Sequence, residues 1–325
     1  MIEKEHKVVA THNGRFHADD VFACAALALL FIIQIFRTRD QEVYEKADFR
    51  VDVGGENDPN TGDFDHHMFG GAGIREGFFK VLRFAWIFKH IINLLMWKLF
   101  GKKVTAHLPY ASFGLVWKKF GVAICDGNEK VAKLVEKWLV IPIDAQDNGY
   151  KIFQGKVEDI SAHTISNVID NYNPAWDEND RDPDVAFFEA LEFAKVYLKR
   201  TIARAAGVIR AEELVLKAVP ESDDPRIVVL NDPMPWSSVV KELPLIKFVV
   251  HRVNNGWMVH VVNAGYGTGK RYRKNLPKAW HGQRGSTLVK LTGVADADNC
   301  HKDGHIVVAK SREGAIALAK VALKA

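Results

Sequence analysis

Histidine and carboxylate side chains are concentrated in four short parts of the chain. These are residues 12–20, Asp52, residues 63–67 and residues 144–149. Their ligand atoms are imidazole nitrogens and carboxylate oxygens without any thiolate, which favours Mn²⁺ or Mg²⁺ over a cysteine-ligated zinc ion. So many ligands could hold two neighbouring ions, which activate water and clamp the attacking and leaving oxygens at phosphorus. The pattern therefore predicts a hydrolase of phosphodiesters or phosphoanhydrides.

Short apolar runs lead into these clusters and predict the elements that position them. Residues 7–11 and 49–53 have the pattern of buried strands, and residues 141–143 end a third strand-like run. The alanine- and leucine-rich run over residues 19–36 predicts a helix after the first strand. Ligands of open parallel sheets bind beyond the carboxyl ends of the strands. We therefore expect the four clusters to meet at one edge of the sheet.

The remaining pattern predicts an α/β fold with two domains, as suits a chain of 325 residues. Helical spacing over residues 185–218 precedes a linker rich in proline and aspartate. Three strands and a closing helix are predicted beyond it, over residues 227–230, 248–253, 257–264 and 312–324. We expect a metal-binding catalytic domain over residues 1–218 and a smaller mixed α/β domain over residues 219–325.

Several motifs resemble those of a known family. They are Thr11-His-Asn-Gly-Arg-Phe-His-Ala-Asp-Asp20, Val51-Asp-Val-Gly-Gly55, Phe64-Asp-His-His67, Tyr110-Ala-Ser-Phe-Gly-Leu-Val-Trp117, Asp147-Asn-Gly149, Asn173-Pro-Ala-Trp176, Pro235-Trp236 and Arg312-Glu-Gly-Ala315. With these the sequence resembles the MYG family of the DHH phosphoesterase superfamily over nearly its whole length. That family includes a 3′-to-5′ RNA exonuclease of mitochondria and nucleus. The resemblance implies a DHH-phosphoesterase-like N-terminal domain with a mostly parallel sheet.

The resemblance also implies roles for individual residues. Six are implied as ligands of two divalent ions, Mn²⁺ or Mg²⁺, with Asp52 bridging them: His12, His17, Asp19, Asp52, His66 and Asp147. Asp65 lies near this shell, and His67 is expected to orient the scissile phosphate or to protonate the leaving oxygen. Asp20 and Asp144 have two readings. They orient the imidazoles by hydrogen bonding, or they have only local roles as a helix-start residue and a turn residue.

A basic stretch with interleaved aromatic residues, 271–284, suits phosphate contacts and base stacking. A solvated loop would have the same composition, and the resemblance favours substrate binding. The substrate-binding candidates are Arg273, Lys274, His301, Lys310 and Arg312. Lys310 and Arg312 stand before the last helix, whose N-terminus suits a phosphate. The glycine-rich C-terminal signature of the superfamily is not evident in this sequence.

Residues 77–107 form an apolar segment that interrupts the resemblance. Six lysines and arginines break its apolar runs, which fall short of the about 18 uncharged residues of a membrane-spanning helix, so no transmembrane segment is expected. Three readings remain: an amphipathic helix at a membrane surface, a buried packing helix, or an intron or gene-model error absent from the mature protein. If the segment is real, we expect a poorly packed excursion near the rim of the metal site.

Composition excludes a disordered or low-complexity protein, because 48% of the residues are hydrophobic and 26% are charged. The net charge is +4, and without the six basic residues of 77–107 it is −2, so overall charge is no evidence for a nucleic-acid partner. The three cysteines form no metal or redox motif and suit a reducing compartment. Without a targeting signal we expect cytoplasm or nucleus, and the resemblance implies the mitochondrion as an alternative.

Three functions follow from these observations. The leading one is a metal-dependent phosphodiester hydrolase, a 3′-to-5′ exonuclease acting on RNA or short oligonucleotides by a two-metal mechanism. The first alternative is a small-molecule phosphatase or inorganic pyrophosphatase, and the second is a non-enzymatic, metal-stabilised RNA-binding protein. The products of hydrolysis distinguish the first two, and variants of the metal ligands distinguish the third.

Overall fold

The computed structural model describes residues 4–75, 108–150, 152, 162–264 and 272–325. Its contacts divide the chain into two compact units, Met1–Ala205 and Ala206–Ala325. The predicted domain boundary at 218/219 lies at the C-terminal end of a long helix and stays a prediction. The expectation for residues 77–107 lies outside the described residues.

The sheet of the first unit has four parallel strands in the order β2-β1-β3-β4. The strands are β1 (His6–Thr11), β2 (Ile32–Arg37), β3 (Phe49–Val51) and β4 (Asp63–Phe64). Thr11 lies opposite Val51, and Val51 lies opposite Phe64. The next residue of each strand, His12, Asp52 and Asp65, therefore leaves the sheet at the same edge. The predicted α/β class and parallel sheet are confirmed.

Helices surround this sheet. They are α1 (Ala18–Leu30), α2 (Gln41–Tyr44), α3 (Ser112–Ile124), α4 (Glu129–Val135), α5 (Ile141–Asp147), α6 (Ile165–Asp170) and α7 (Pro183–Ala218), with a π-helical turn, Glu136–Val140, between α4 and α5. Helix α1 is buried from Ala18 to Leu27, because its small alanine and cysteine side chains allow neighbouring elements to approach closely. No helix in the described ranges combines the length and apolar character needed to cross a membrane.

Two predictions for this unit were wrong. The helix expected over residues 19–36 ends at Leu30, and Ile32–Arg37 forms β2, because its β-branched residues pair with β1 and alternate in burial. The strand-like run at residues 141–143 lies in the first turn of α5. Pro142 lies just after the π-helical turn Glu136–Val140, which interrupts the regular α-helical hydrogen-bond pattern.

The second unit contains a five-stranded mixed sheet in the order β5-β6-β7-β9-β8. Its strands are β5 (Ile227–Leu230), β6 (Phe248–Val253), β7 (Gly256–Val261), β8 (Ala297–Cys300) and β9 (Ile306–Ala309). Its helices are α8 (Ser237–Val240), α9 (Gly285–Thr292) and α10 (Arg312–Lys324), with a 3₁₀ turn at Lys278–Trp280. The three predicted strands and the closing helix are confirmed. The third strand ends at Val261, and β8, β9 and α9 were not predicted.

The chain on either side of residues 76–107 forms an antiparallel bridge. Ile74 pairs with Pro109, the N–H of Arg75 donates to the carbonyl of Leu108 at 3.1 Å, and the N–H of Tyr110 donates to the carbonyl of Gly73 at 3.1 Å. The two flanks therefore lie as close together as the strands of a hairpin.

We expect deletion of residues 78–107 to leave the fold intact. The variant keeps Glu76 and Gly77 between Arg75 and Leu108, and two residues are the commonest length of a hairpin loop. Far-UV circular dichroism should be that of a folded α/β protein, with a midpoint of thermal unfolding within about 5 °C of the full chain. Loss of cooperative unfolding in the shortened protein would show instead that the deleted residues belong to the core.

Candidate metal centre

Asp52 occupies the centre of the site. It follows β3 with a φ of +55°, a left-handed conformation that aspartate and asparagine adopt more readily than most side chains. The residue is only 4% exposed. Its Oδ2 lies 3.3 Å from Nε2 of His12, and its Oδ1 lies 3.4 Å from Nε2 of His66. Asp52 therefore faces an imidazole with each carboxylate oxygen.

The first group of candidate ligands is His12, His17 and Asp52, whose ligand atoms lie within 4.8 Å of one another. His12 follows β1 and is buried, and neither of its ring nitrogens has a hydrogen-bond partner among the described residues. His17 stands before α1, and half of its side chain is exposed. This group suits a cation that is reached from solvent on the side of His17.

The second group is Asp19, His66 and Asp147, whose ligand atoms also lie within 4.8 Å of one another. Nε2 of His66 lies 3.1 Å from Oδ2 of Asp147, the last residue of α5. Asp19 accepts hydrogen bonds from the backbone N–H groups of Ser112 at 2.7 Å and Phe113 at 2.8 Å. The N-terminus of α3 therefore fixes this carboxylate and favours its negative charge.

His67 and Asp65 form a hydrogen-bonded pair next to Asp52. Nδ1 of His67 lies 2.7 Å from Oδ1 of Asp65 and 3.3 Å from Oδ1 of Asp52. Asp65 is itself fixed, because it accepts hydrogen bonds from the N–H groups of Gly55 and His67. The His67 side chain is 61% exposed. Its Nδ1 is thus committed to carboxylates, and Nε2 is the nitrogen left for a ligand or substrate.

The pKa values reflect an excess of buried carboxylates. Burial raises the pKa of Asp19, with Asp147 and Asp52 adding to the effect, and burial raises the pKa of Asp20 to about 7. Burial opposes ionisation of Asp52 too, but His12 and His66 lower its pKa below the usual range. Burial disfavours the charged form of His66, yet Asp147 and Asp52 raise its pKa to about 11. The neighbouring carboxylates thus favour the charged form of His66.

These residues fit divalent cations. At this site, three side chains present buried nitrogen or oxygen atoms that have no hydrogen-bond partner among the described residues: His12, Asp20 and His66. Buried polar atoms in folded proteins are almost always satisfied, and a bound cation is a partner for imidazole nitrogen and carboxylate oxygen alike. With oxygen and imidazole donors, the set suits Mn²⁺ or Mg²⁺.

Asp20 caps the start of α1, and its role in orienting an imidazole stays a prediction. Its Oδ1 accepts the N–H groups of His17 and Val21 at 2.8 Å, at the start of α1. Its Oδ2 lies 3.3 Å from Nε2 of His12. Asp20 therefore connects the start of the helix to an imidazole of the first ligand group.

Asp144 contacts Arg75 and the start of α3, and its role in orienting an imidazole stays a prediction. It accepts a hydrogen bond from the guanidinium of Arg75 at 2.5 Å and from the N–H of Gly114 at 3.1 Å. Burial raises its pKa to about 7 even though Arg75 opposes this shift. Its contacts in the described ranges attach the start of α3 to Arg75, which also lies 4.3 Å above the ring of Tyr110.

The substrate-binding candidates all belong to the second unit. The guanidinium of Arg273 donates to the backbone carbonyls of Val240, Lys241, Leu243 and Ile246, so it holds the end of α8. Lys274 is half-buried, and His301, Lys310 and Arg312 are exposed. His301 forms a possible ligand group with Asp303 and His305. Substrate binding by these residues stays a prediction.

The N-terminus of α10 already holds a carboxylate. Asp296 accepts hydrogen bonds from the N–H and the hydroxyl of Ser311, which precedes the helix. The site predicted for a phosphate between Lys310 and Arg312 therefore has an acidic neighbour.

Sequence reasoning missed the role of Ser112. Its hydroxyl donates to Oδ1 of Asp52 at 3.2 Å, and its N–H donates to Asp19. The residue lies in the motif over residues 110–117, which was recognised only as part of a resemblance. A serine at the start of a helix does not by itself indicate a functional site. Its role becomes visible only when the N-terminus of the helix is known to lie beside the carboxylates.

The chain has matches among protein families, curated proteins and solved structures. The family model MYG1_exonuc, described as an uncharacterised protein family (UPF0160), matches residues 8–323. A MYG1 protein of Saccharomyces cerevisiae is 30% identical and covers 98% of this chain and 96% of its own. The human MYG1 exonuclease is 28% identical, over 97% of this chain and 85% of its own. A crystal structure of RecJ with Mg²⁺ from Thermus thermophilus covers 98% of this chain and 49% of its own at 13% identity, with a TM-score of 0.26.

We expect Mn²⁺ to stabilise the protein through Asp52. Saturating Mn²⁺ should raise the midpoint of thermal unfolding by about 5 °C or more, and Asp52→Asn should remove at least half of that increase. Asparagine also tolerates a positive φ, so the variant changes the charge and leaves the backbone conformation accessible. Asp180→Asn, at an exposed position, is the matched control and should keep the full increase. An undiminished increase in Asp52→Asn would contradict the assignment.

Proposed function

On the premise that this chain belongs to the MYG1 exonuclease family (UPF0160), we propose that it is a 3′-to-5′ exonuclease that hydrolyses RNA or short oligonucleotides with two divalent ions. The family makes the chain a metal-dependent phosphodiester hydrolase. The RNA substrate, the direction of cleavage, the number of ions and the choice of Mn²⁺ are the finer proposal. The observation that carries it is the position of Asp52, which faces His12 with one carboxylate oxygen and His66 with the other.

The side chains at this site hold their donor atoms in fixed positions. Bound divalent ions would supply the charge that activates water and neutralises a phosphodiester during in-line attack. Asp19 is held by two backbone N–H groups of α3, and Asp52 by the hydroxyl of Ser112. Little reorganisation of these carboxylates is then needed when a phosphate arrives.

In this proposal His67 gives a proton to the leaving oxygen. Asp65 lies 2.7 Å from its Nδ1, and this contact orients the ring. The exposed Nε2 edge then carries the proton toward solvent, where the leaving end of a nucleic acid can be bound. Asp65 thus positions the ring and His67 transfers the proton.

A direct test is digestion of end-labelled oligonucleotides with Mn²⁺, run beside pyrophosphate. We expect mononucleotides to be released stepwise from the 3′ end of RNA, and slower reaction with DNA. A 5′-end ladder would contradict the proposed direction. Rapid release of orthophosphate from pyrophosphate without an oligonucleotide ladder would support the small-molecule phosphatase instead.

The same assay separates an enzyme from an RNA-binding protein. Asp52→Asn and His66→Ala should lose hydrolysis while they keep affinity for RNA, because each removes a ligand of the proposed ions. Retention of hydrolysis in both variants would contradict the metal-site assignment. A wild-type protein that binds RNA with Mn²⁺ and never cleaves it would support the non-enzymatic alternative.

The loss of activity caused by replacing His67 should depend on the leaving group of the substrate. His67→Ala should lower kcat on RNA by about 100-fold or more, the usual contribution of a general acid. On a p-nitrophenyl phosphodiester the loss should fall below about 10-fold, because p-nitrophenolate leaves without a proton. Asp65→Asn should lower kcat on RNA more than on the p-nitrophenyl phosphodiester, since it removes the contact that orients the ring of His67. Equal losses with both leaving groups would contradict the role of His67.

A further inference from the structure

Two arginines at the end of β2 have opposite surroundings. The guanidinium of Arg37 is 1% exposed and donates to the carbonyls of Gly14 and Pro183 and to the carboxylate of Asp184. Arg39, two residues further on, is exposed, and the described residues provide it with no hydrogen bond or ion pair. Arg37 thus has a structural role, whereas the charge of Arg39 is free to meet a ligand.

Arg39 lines the same cavity as the metal centre. This cavity of about 320 Å³ is lined by His12, Asp52 and His67 on its reactive side, a size that suits a small ligand or the end of a chain. Nη2 of Arg39 would lie 3.8 Å from a Cβ atom at Gly14, and Nδ1 of His12 would lie 3.6 Å from the same point. The guanidinium is therefore close to the first ligand group.

Two glycines also line this cavity. Gly54 and Gly55 have φ values of +102° and +71°, a region that favours glycine, and a Cβ atom at Gly55 would have nothing within 4 Å. The loop after Asp52 therefore contributes no side chain to the cavity at these two positions. A ligand can approach Asp52 and Arg39 together.

We propose that Arg39 binds a non-bridging phosphate oxygen of the oligonucleotide substrate, an inference that rests on the function proposed above. Among the cavity-lining residues, Arg39 is the one with a permanent positive charge. Four of the others are carboxylates or imidazoles, and His12 and Asp52 are the two of these proposed as ligands of a cation. A guanidinium offers two parallel N–H groups that match two phosphate oxygens. Arg39 is thus a substrate-binding residue that selects for an anionic linkage beside the reacting one.

The chemistry of this contact predicts a graded series of variants. Arg39→Gln removes the charge and the two parallel N–H donors. Arg39→Lys keeps the charge but loses the paired donors of the guanidinium. We expect Arg39→Gln to raise KM for the oligonucleotide by about 10- to 100-fold with kcat changed by less than about 3-fold. Arg39→Lys should lie between this variant and the wild type. Arg200→Gln, at an exposed position on α7, is the matched control and should leave KM unchanged.

A neutral linkage identifies the phosphate that is contacted. Oligonucleotides carry one methylphosphonate, moved linkage by linkage from the 3′ end, and their affinity is measured by fluorescence anisotropy with Ca²⁺ in place of Mn²⁺. At one linkage, neutralisation should weaken wild-type binding about as much as Arg39→Gln does. At that linkage, neutralisation should weaken binding by the Arg39→Gln variant by less than about 2-fold, because the two changes remove the same interaction.

The possible failures are distinguishable. If the wild type cleaves the oligonucleotide, while Arg39→Gln matches Arg200→Gln in KM and affinity, this inference is overturned and the exonuclease proposal stands. Additive losses at every linkage would also overturn the contact with Arg39. If the wild type neither binds nor cleaves the oligonucleotide, the exonuclease proposal and this inference fail together.

Discussion

Buried negative charge is the constraint on which the first unit depends. Five carboxylates are at most 4% exposed: Asp19, Asp20, Asp52, Asp65 and Asp144. Ionised carboxylates away from water are costly unless they are paired or hydrogen-bonded. The protein meets that cost with backbone N–H groups for Asp19, a guanidinium for Asp144 and imidazoles for Asp52. Divalent cations would complete this neutralisation, so metal binding is expected to stabilise the folded site.

The parallel sheet brings these charged residues together at one edge. Register between β1, β3 and β4 brings the ends of three strands to one edge, and the positive φ of Asp52 ends β3 there. Helix α3 then presents its first N–H groups to the carboxylate on α1. Each ligand is thus held by an element on which the core also depends, which explains why the ligands come from distant parts of the sequence.

Residue type and spacing indicated which clusters the fold brings together better than they predicted the elements between them. The clusters that contain His12, Asp52 and His66 were recognised because their chemistry is unusual beside apolar strands, and the ligand role of each residue stays a prediction from the resemblance. The helix carrying Asp144 and Asp147 was taken for a strand, because a short apolar run reads the same in either element. The hydrogen-bond partner of Asp144 could not be predicted from the sequence, because Arg75 lies 69 residues away and the two residues meet only in the folded chain.

Crystals grown with Mn²⁺ test the central claim, that Asp52 joins two ligand groups into one site for two ions. We expect two anomalous-scattering peaks about 3.5 to 4 Å apart on either side of the Asp52 carboxylate, one near His12 and one near His66. A single peak, or peaks that do not share Asp52, would contradict it.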